Sequence, residues 1–445
     1  MFEKRGKKAR QEELWIEAKS LPAATASRFY ERVNETLAKI NFAQEVWQIC
    51  EPSYAQASRG GRPGIDPVVY LKMLMVGFFE DLPSERAIAS RCADSLSIRG
   101  FLGYELSDPT PDHSSLSVIR YRLSAAQFDA VHLILLRALR AHGLLRGRKL
   151  GIDSSVIEAN ASLRALEHRN TEQSYWDYVR GLAAEAGVDP DDPKAVRRFD
   201  QKRPGRKTSN AEWVNPHDPQ AKVGRTKDGA TDMIYKPEHI SDLESGAIVA
   251  AQVRPGDAGD SVGAATRVLA AIGTLLEVAP EAPVAQLGAE LAADEGYFAL
   301  AEIAQLQSCG VRAVVADPQA GRRRKDAGAQ DKAVLQRACR AVKSPSGKAL
   351  LRQRGQHLER AFCHVLDHGG LRRATLKGCE NLSKRYLLGA LSFNLSLLLR
   401  TLFGVGTAKQ WLAAPRKAVL AFLERLMTAL TLIWRALTAS PALQS

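Results

Sequence analysis

Between residues 149 and 366 the chain changes element type in an order that leaves few folds open. "KLGIDSSVI" (149–157) reads as a strand, and "MIYKPEHISDLESGAIVAAQVRPGD" (233–257) reads as two strands around the turn "LESG". "DSVGAATRVLAAIGTLLEVA" follows as an amphipathic helix, and "VAQLGAELAADEGY" carries a strand into Asp294. A helix at 298–308, the strand "VRAVVADP" at 311–318 and a helix at 347–366 complete the series. A strand, a hairpin, and then strands separated by helices make an α/β domain on a mixed sheet.

The flanks read differently. Residues 26–148 are helical, with Asp66 as N-cap before Pro67 at the first helical position, and Asp112 as a second cap. Short helices with tight turns, the second capped one bearing Arg120 and Arg122, fit either a helix-turn-helix module or a plain bundle. Residues 161–230 are polar and basic, and read as a helix followed by a flexible insertion. The apolar segments 386–403 and 418–434 carry Asn394, Arg400, Glu424 and Arg425. Both fall short of about 20 clean apolar residues, so they read as buried helices and no membrane span is expected.

Charge points toward a partner. Sixty-two Lys and Arg against 49 Asp and Glu leave a net +13, which suggests a polyanion, most often nucleic acid. The six cysteines form no CxxC pair, so neither a zinc ribbon nor a disulfide framework is indicated. Scattered cysteines fit a reducing cytoplasm, and "MFEKRGKKAR" has no apolar core of the secretory type.

Three acids stand at element ends. Asp153 closes the first strand, Asp294 follows a later one, and Glu359 lies in the helix "LLRQRGQHLERAFCHVL". Leu351, Leu358, Phe362 and Val365 form that helix's apolar stripe, with Glu359 roughly 80° away at its border. Each acid also has a structural reading: a turn cap, a helix start, a solvated glutamate.

Taken together, in order and spacing, "GIDSSVIEAN", "YKPEHISD", "AADEGY" and "ERAFCHVLDHGGLRRATLKGCENLSKRYLLGALSFNL" resemble the DDE transposases of bacterial insertion sequences. The upstream "GRPGIDPVVYLKMLMVGFFEDLPSERAIASRCADSLSIRGFLGYELSDPTPDHSSLSVIRYRL" is similar to the InsH-type N-terminal domain that accompanies that catalytic domain. The resemblance runs from about residue 30 to 406. It implies an RNase H-like mixed-sheet core with an all-helical N-terminal domain and an apolar helical C-terminal tail. The corresponding domains are a basic tail at 1–25, a helical DNA-binding domain at 26–148, a catalytic domain at 149–405 with insertions near 161–230 and 319–350, and a tail at 406–445.

The resemblance also implies a chemistry. Asp153, Asp294 and Glu359 would hold two Mg²⁺ or Mn²⁺ ions, since hard cations choose carboxylate oxygens and a metal pair serves phosphoryl transfer. The implied activity is cutting DNA at element ends and joining the 3′-OH to target DNA. The implied partners are double-stranded DNA (terminal inverted repeats and target) and a second copy of the chain, in the bacterial cytoplasm. Candidate phosphate contacts are Arg352, Arg360, Arg372, Arg373 and Lys377, the run Arg322, Arg323 and Arg324, and Arg120 and Arg122. Tyr297 and His239 read as supporting residues near the acids.

Related enzymes often carry a cation after the second acid, four residues before the glutamate and seven after it. Glu295, Gly355 and Leu366 stand there instead. Arg352 lies near Glu359 on the wheel and is placed to substitute, whereas Arg354 points elsewhere. Two other readings share the ancestry: a DNA-binding protein with little catalysis, and an RNase H-like nuclease that cuts without joining.

Overall fold

Seven helices lead the computed structural model, which describes residues 25–55, 64–105, 107–204, 209–320 and 328–411. They are α1 (Thr25–Lys39), α2 (Phe42–Ala55), α3 (Pro67–Phe79), α4 (Glu85–Asp94), α5 (Leu96–Leu102), α6 (His113–Arg122) and α7 (Ala125–Ala141). Their starts follow the sequence closely. The Asp66 carboxylate accepts from Val68 N at 2.7 Å, and Asp112 accepts from Ser115 N at 2.8 Å, each satisfying a donor that the helix start leaves free. Helix α3 is buried on nearly all sides, as its almost unbroken apolar sequence requires.

The sheet begins with β1 (Lys149–Ser154) and the short β2 (Ile157–Glu158). A small subdomain follows: β3 (Glu167–His168), α8 (Tyr175–Glu185), α9 (Pro193–Lys202) and β4 (Trp213–Val214). Here the structure differs from a helix with a flexible insertion. Val179, Ala183 and Val196 form a separate core, and Trp213 meets His168, Tyr175 and Tyr178 edge to face at 5.3–5.4 Å. Trp213 lies 35 residues beyond the nearest of these partners, so no local pattern announces the cluster.

Next come β5 (Lys222–Arg225), β6 (Thr231–Asp242) and β7 (Ile248–Pro255), the last two joined by the expected turn. The remaining elements are α10 (Ala264–Val278), β8 (Glu290–Ala293), α11 (Leu300–Ser308), β9 (Arg312–Val315), α12 (Ala329–Lys343), α13 (Pro345–Phe362) and α14 (Cys379–Phe403). A π-helical turn, Cys363–Asp367, follows α13.

Across the sheet the order is β7-β6-β1-β8-β9. β6 runs antiparallel to β1 and β7 antiparallel to β6, while β8 and β9 run parallel to β1. This is the mixed sheet expected of an RNase H-like core: a hairpin on one side of a central strand, helix-linked parallel strands on the other. α10 and α11 cover one face, with Leu150, Ile152 and Ile240 in their core. α13 and α14 cover the other.

α14 is long and apolar enough to cross a membrane, yet most of it is buried against β7 and α7. Asn394 explains the polar interruption. It accepts from Ile248 N at 2.9 Å and donates to Ile248 O at 2.8 Å, closing the open edge of β7. The apolar stretch at 418–434 lies outside the described residues. Helix α14 also anchors the N-terminal helices. Buried Arg385 donates to the carbonyls of Leu74 and Leu82, and one apolar core runs from Phe29 through Leu358 to Leu399.

Candidate active site

Strand register brings two of the three acids level. β1 and β8 pair Lys149 with Glu290 and Gly151 with Ala292, a constant offset of 141, so Asp153 stands opposite Asp294 at the strand ends. Asp153 Oδ1 accepts from Ser154 N at 2.9 Å, and Asp294 caps the following turn by accepting from Gly296 N at 3.1 Å. Asp153 is largely buried and Asp294 is open to solvent, with side-chain exposures of 15% and 46%. Burial is the main cause that pushes the Asp153 carboxyl up to about 6. Arg354 pulls it down and the Asp294 charge pushes it further up.

The cation between them is Arg354. Its Nη2 lies 2.8 Å from Asp153 Oδ2 and 3.6 Å from Asp294 Oδ2. This corrects the expectation that Arg354 points away. Helix α13 crosses β1 where Gly151 has no side chain. A Cβ at Gly151 would sit 2.8 Å from Leu358 Cδ1 and 2.6 Å from Leu243 Cδ2. Leu358 is thus fixed over Gly151, and Arg354, one turn earlier on the same face, reaches past the strand end to the acids.

Glu359 stands elsewhere on α13. It is exposed, and it makes no hydrogen bond or ion pair among the described residues. A Cβ at Gly355 would meet only Glu359 Oε1, at 3.8 Å. Among the described residues no three acids, histidines or cysteines come together closely enough to hold one ion. Asp153 and Asp294 do converge. Their oxygens already share one positive centre, and a pair of hard carboxylate donors suits a divalent cation of the magnesium type.

Sequence reasoning missed Glu238, on the opposite face of the same strand ends. It pairs across β1–β6 with Ser154 and is 1% exposed. Four donors surround it: Gln252 Nε2 at 3.1 Å, Arg254 Nη1 at 3.0 Å, Arg267 Nη2 at 3.1 Å and the Tyr297 hydroxyl at 2.9 Å. Burial first, then the Glu238 charge, holds the Tyr297 hydroxyl far above its ordinary value. Tyr297 follows Asp294 by three residues, so the cluster ties the turn that carries Asp294 to the central strands. Asp260 adds a second tie, accepting from Ser154 Oγ at 3.0 Å and Lys236 Nζ at 3.1 Å. The one sequence signal was a glutamate in the middle of a long strand, between Pro237 and His239.

His239 sits beside Asp153 in the β1–β6 register, buried, with Nδ1 2.7 Å from the Tyr386 hydroxyl and its ring 4.1 Å from Phe362. Burial lowers it to about 3. It packs as a neutral core residue. His364 likewise packs near Phe393.

The candidate phosphate contacts divide. Arg352, Arg360, Arg373 and Lys377 are exposed. Arg372 is engaged: it donates to Asp367 at 2.7 Å, Ser155 Oγ at 3.1 Å and the Val156 carbonyl at 3.0 Å, clamping the chain just after β1. Arg120 is buried and ion-paired with Glu85, so a phosphate cannot reach it, and its assignment as a DNA contact is withdrawn. Arg122 lies half-buried over the Tyr54 ring, 4.6 Å from its centre. Arg322, Arg323 and Arg324 lie outside the described residues. Glu295 is exposed, and Leu366 is fully buried.

Comparison with known proteins gives a likeness at the level of one domain. Residues 21–122, which span α1 through α6, match the family model described as Transposase domain (DUF772). None of the curated proteins compared matches the sequence. Among solved structures, the Mos1 transposase paired-end complex with left transposon end aligns over 70% of this chain and 82% of its own, at 11% identity and a TM-score of 0.20, a likeness too slight to weigh. The N-terminal helical domain of this chain is thus similar to a transposase domain.

Proposed function

We propose that this chain is an insertion-sequence transposase of the DDE type, which cuts DNA at element ends and joins the freed 3′-OH to target DNA. The observation that carries the reading is the convergence of Asp153 and Asp294, from adjacent parallel strands, on one positive centre. Such strand ends are rigid, and rigidity is what a site for charge stabilisation needs. Asp153 and Asp294 would hold Mg²⁺ or Mn²⁺, while Glu359, the third acid that the resemblance implies, stands apart from them on α13. When bound, the metal supplies a nucleophilic oxygen at neutral pH and charge stabilisation at the leaving oxygen.

The chain's own residues do the rest. Glu238 and its four donors keep β1, β6 and the Asp294 turn in fixed relation. Arg372 holds the segment after Asp153. The exposed Arg352, Arg360, Arg373 and Lys377 offer salt-dependent contacts to the DNA backbone. Double-stranded DNA is the partner, two copies of the chain would hold two ends, and the reaction belongs in the bacterial cytoplasm.

The test is strand cleavage on linear DNA carrying the element's own end, with Mg²⁺ or Mn²⁺, comparing wild type and Asp153→Ala with gel-shift binding in parallel. Wild type should release a defined 3′-OH end. The variant should bind as tightly but cut slower by roughly a thousandfold, the scale seen when one charge-stabilising group leaves a reacting site. Equal binding with no cutting by either protein would leave a transposase-derived DNA-binding protein.

A further inference from the structure

We propose that Arg354 is a resident counter-ion for the acid pair, seated where a divalent cation would sit and displaced when that cation binds. The inference rests on the metal reading above and adds a residue to it. Arg354 touches both acids through a single nitrogen, Nη2, at 2.8 and 3.6 Å. Only the first distance makes a hydrogen bond. Its Nε is buried and makes no hydrogen bond among the described residues. A guanidinium built as a permanent strut engages several acceptors: Arg372 reaches three, and Arg267 donates to Glu238 and to the Asp260 and Val262 carbonyls, although its Nε, like that of Arg354, makes no hydrogen bond among the described residues. Arg354 instead serves as one positive charge at the meeting point of two carboxylates, held by a single side-chain hydrogen bond among the described residues.

The seat has a physical purpose. Two carboxylates facing one another repel, and one of them is largely buried. Arg354 keeps the pair drawn together while no metal is there. A divalent ion bound to the same oxygens brings twice the charge and must expel the guanidinium. The freed side chain stays tethered at the mouth of the site, where a substrate phosphate would lie. Arg354 is therefore a positioning residue with respect to the acids, and it lowers the apparent affinity for metal by occupying their shared position.

The experiment is a calorimetric titration of the full chain with Mn²⁺, without DNA, for wild type, Arg354→Gln, Arg354→Lys and Asp153→Asn. If Arg354 is seated in about nine molecules in ten, its neutral replacement should tighten Mn²⁺ binding by about tenfold. Arg354→Lys keeps the charge on a shorter reach and should fall between. Without metal, Arg354→Gln should melt lower than wild type, and saturating Mn²⁺ should raise its melting temperature by the larger amount. Equal or weaker Mn²⁺ binding by Arg354→Gln, with wild-type binding abolished by Asp153→Asn, overturns the placeholder role and leaves the metal site standing. If Arg354→Gln fails to fold, an unchanged affinity in Arg354→Lys overturns it equally. If wild type takes up no Mn²⁺, or Asp153→Asn binds as wild type does, the metal reading itself falls and the proposal with it.

Discussion

Two arginine–carboxylate clusters flank the same strand ends, one on each face of the sheet, and they are built to opposite standards. Glu238 is 1% exposed and accepts from four donors, two of them arginines. Asp153 and Asp294 share one nitrogen of one arginine, and Asp294 is nearly half exposed. The residue types are alike, so chemistry alone does not separate a structural knot from a reacting site. Donor count does. A buried charge with every lone pair satisfied has nothing to offer a ligand, whereas an under-satisfied, accessible pair does.

The largest expected effect falls on the saturated side. Glu238→Ala removes the acceptor of two arginines and should cost about 3–5 kcal/mol, the range for breaking a buried ion pair by removing one partner. Asp153→Ala should cost far less in the same urea-unfolding assay. Asp294 can retain Arg354, and the loss of the buried Asp153 charge offsets part of the lost contact. Comparable losses in the two variants would erase the distinction drawn here. So would an Asp153→Ala protein that unfolds while Glu238→Ala stands.

Much of this was legible in the sequence, for identifiable reasons. The caps at Asp66 and Asp112, the hairpin around "LESG", and the acids at the ends of β1 and β8 are local signals, and the structure repeats them. Arg354 was legible too, given the right reference. Measured from Glu359 the helical wheel turns it away. Measured from the buried stripe it lies three residues after Leu351 and four before Leu358, on the face that meets the sheet. Glu238 was not legible. Its partners lie 14, 16, 29 and 59 residues on, brought to one point only by the fold. Arg120 misled because an arginine late in a short capped helix reads as solvent-facing, until Glu85 from α4 is found against it.

The open cluster can be loosened without touching an ionisable group. Gly151 lets α13 settle onto β1, and the added methyl of Gly151→Ala would stand within 2.8 Å of Leu358 and Leu243 side-chain carbons. Overpacking of this kind should cost about 1–3 kcal/mol and lift the helix from the strand. The move should separate Arg354 from Asp153 while leaving the Glu238 side intact. Hydrogen exchange should then quicken in α13 and β1 but not in α10. Quickening on both faces alike would mean that the two clusters are one cooperative unit.

The last effect concerns pH and the buried imidazoles that brace the sheet. His239 is held to about 3 and His132 to about 4, both by burial, while His132 Nε2 shares a hydrogen bond with the Ile248 carbonyl. Their folded values lie below the unfolded imidazole value, so the unfolded chain takes up protons first. The stability they contribute is complete above about pH 6.5 and is lost as pH falls toward their folded values. By pH 5 each should cost about 2 kcal/mol, taking 1.36 kcal/mol per unit over the 1.5 units below the unfolded value. Replacing His239 with Phe should flatten the profile between pH 6.5 and 5 by its share, at some cost from the unpaired Tyr386 hydroxyl at every pH. The two effects separate because only the first varies with pH. If the whole slope survives the substitution, His239 is not a group that titrates in this range, and the acid sensitivity falls to His132.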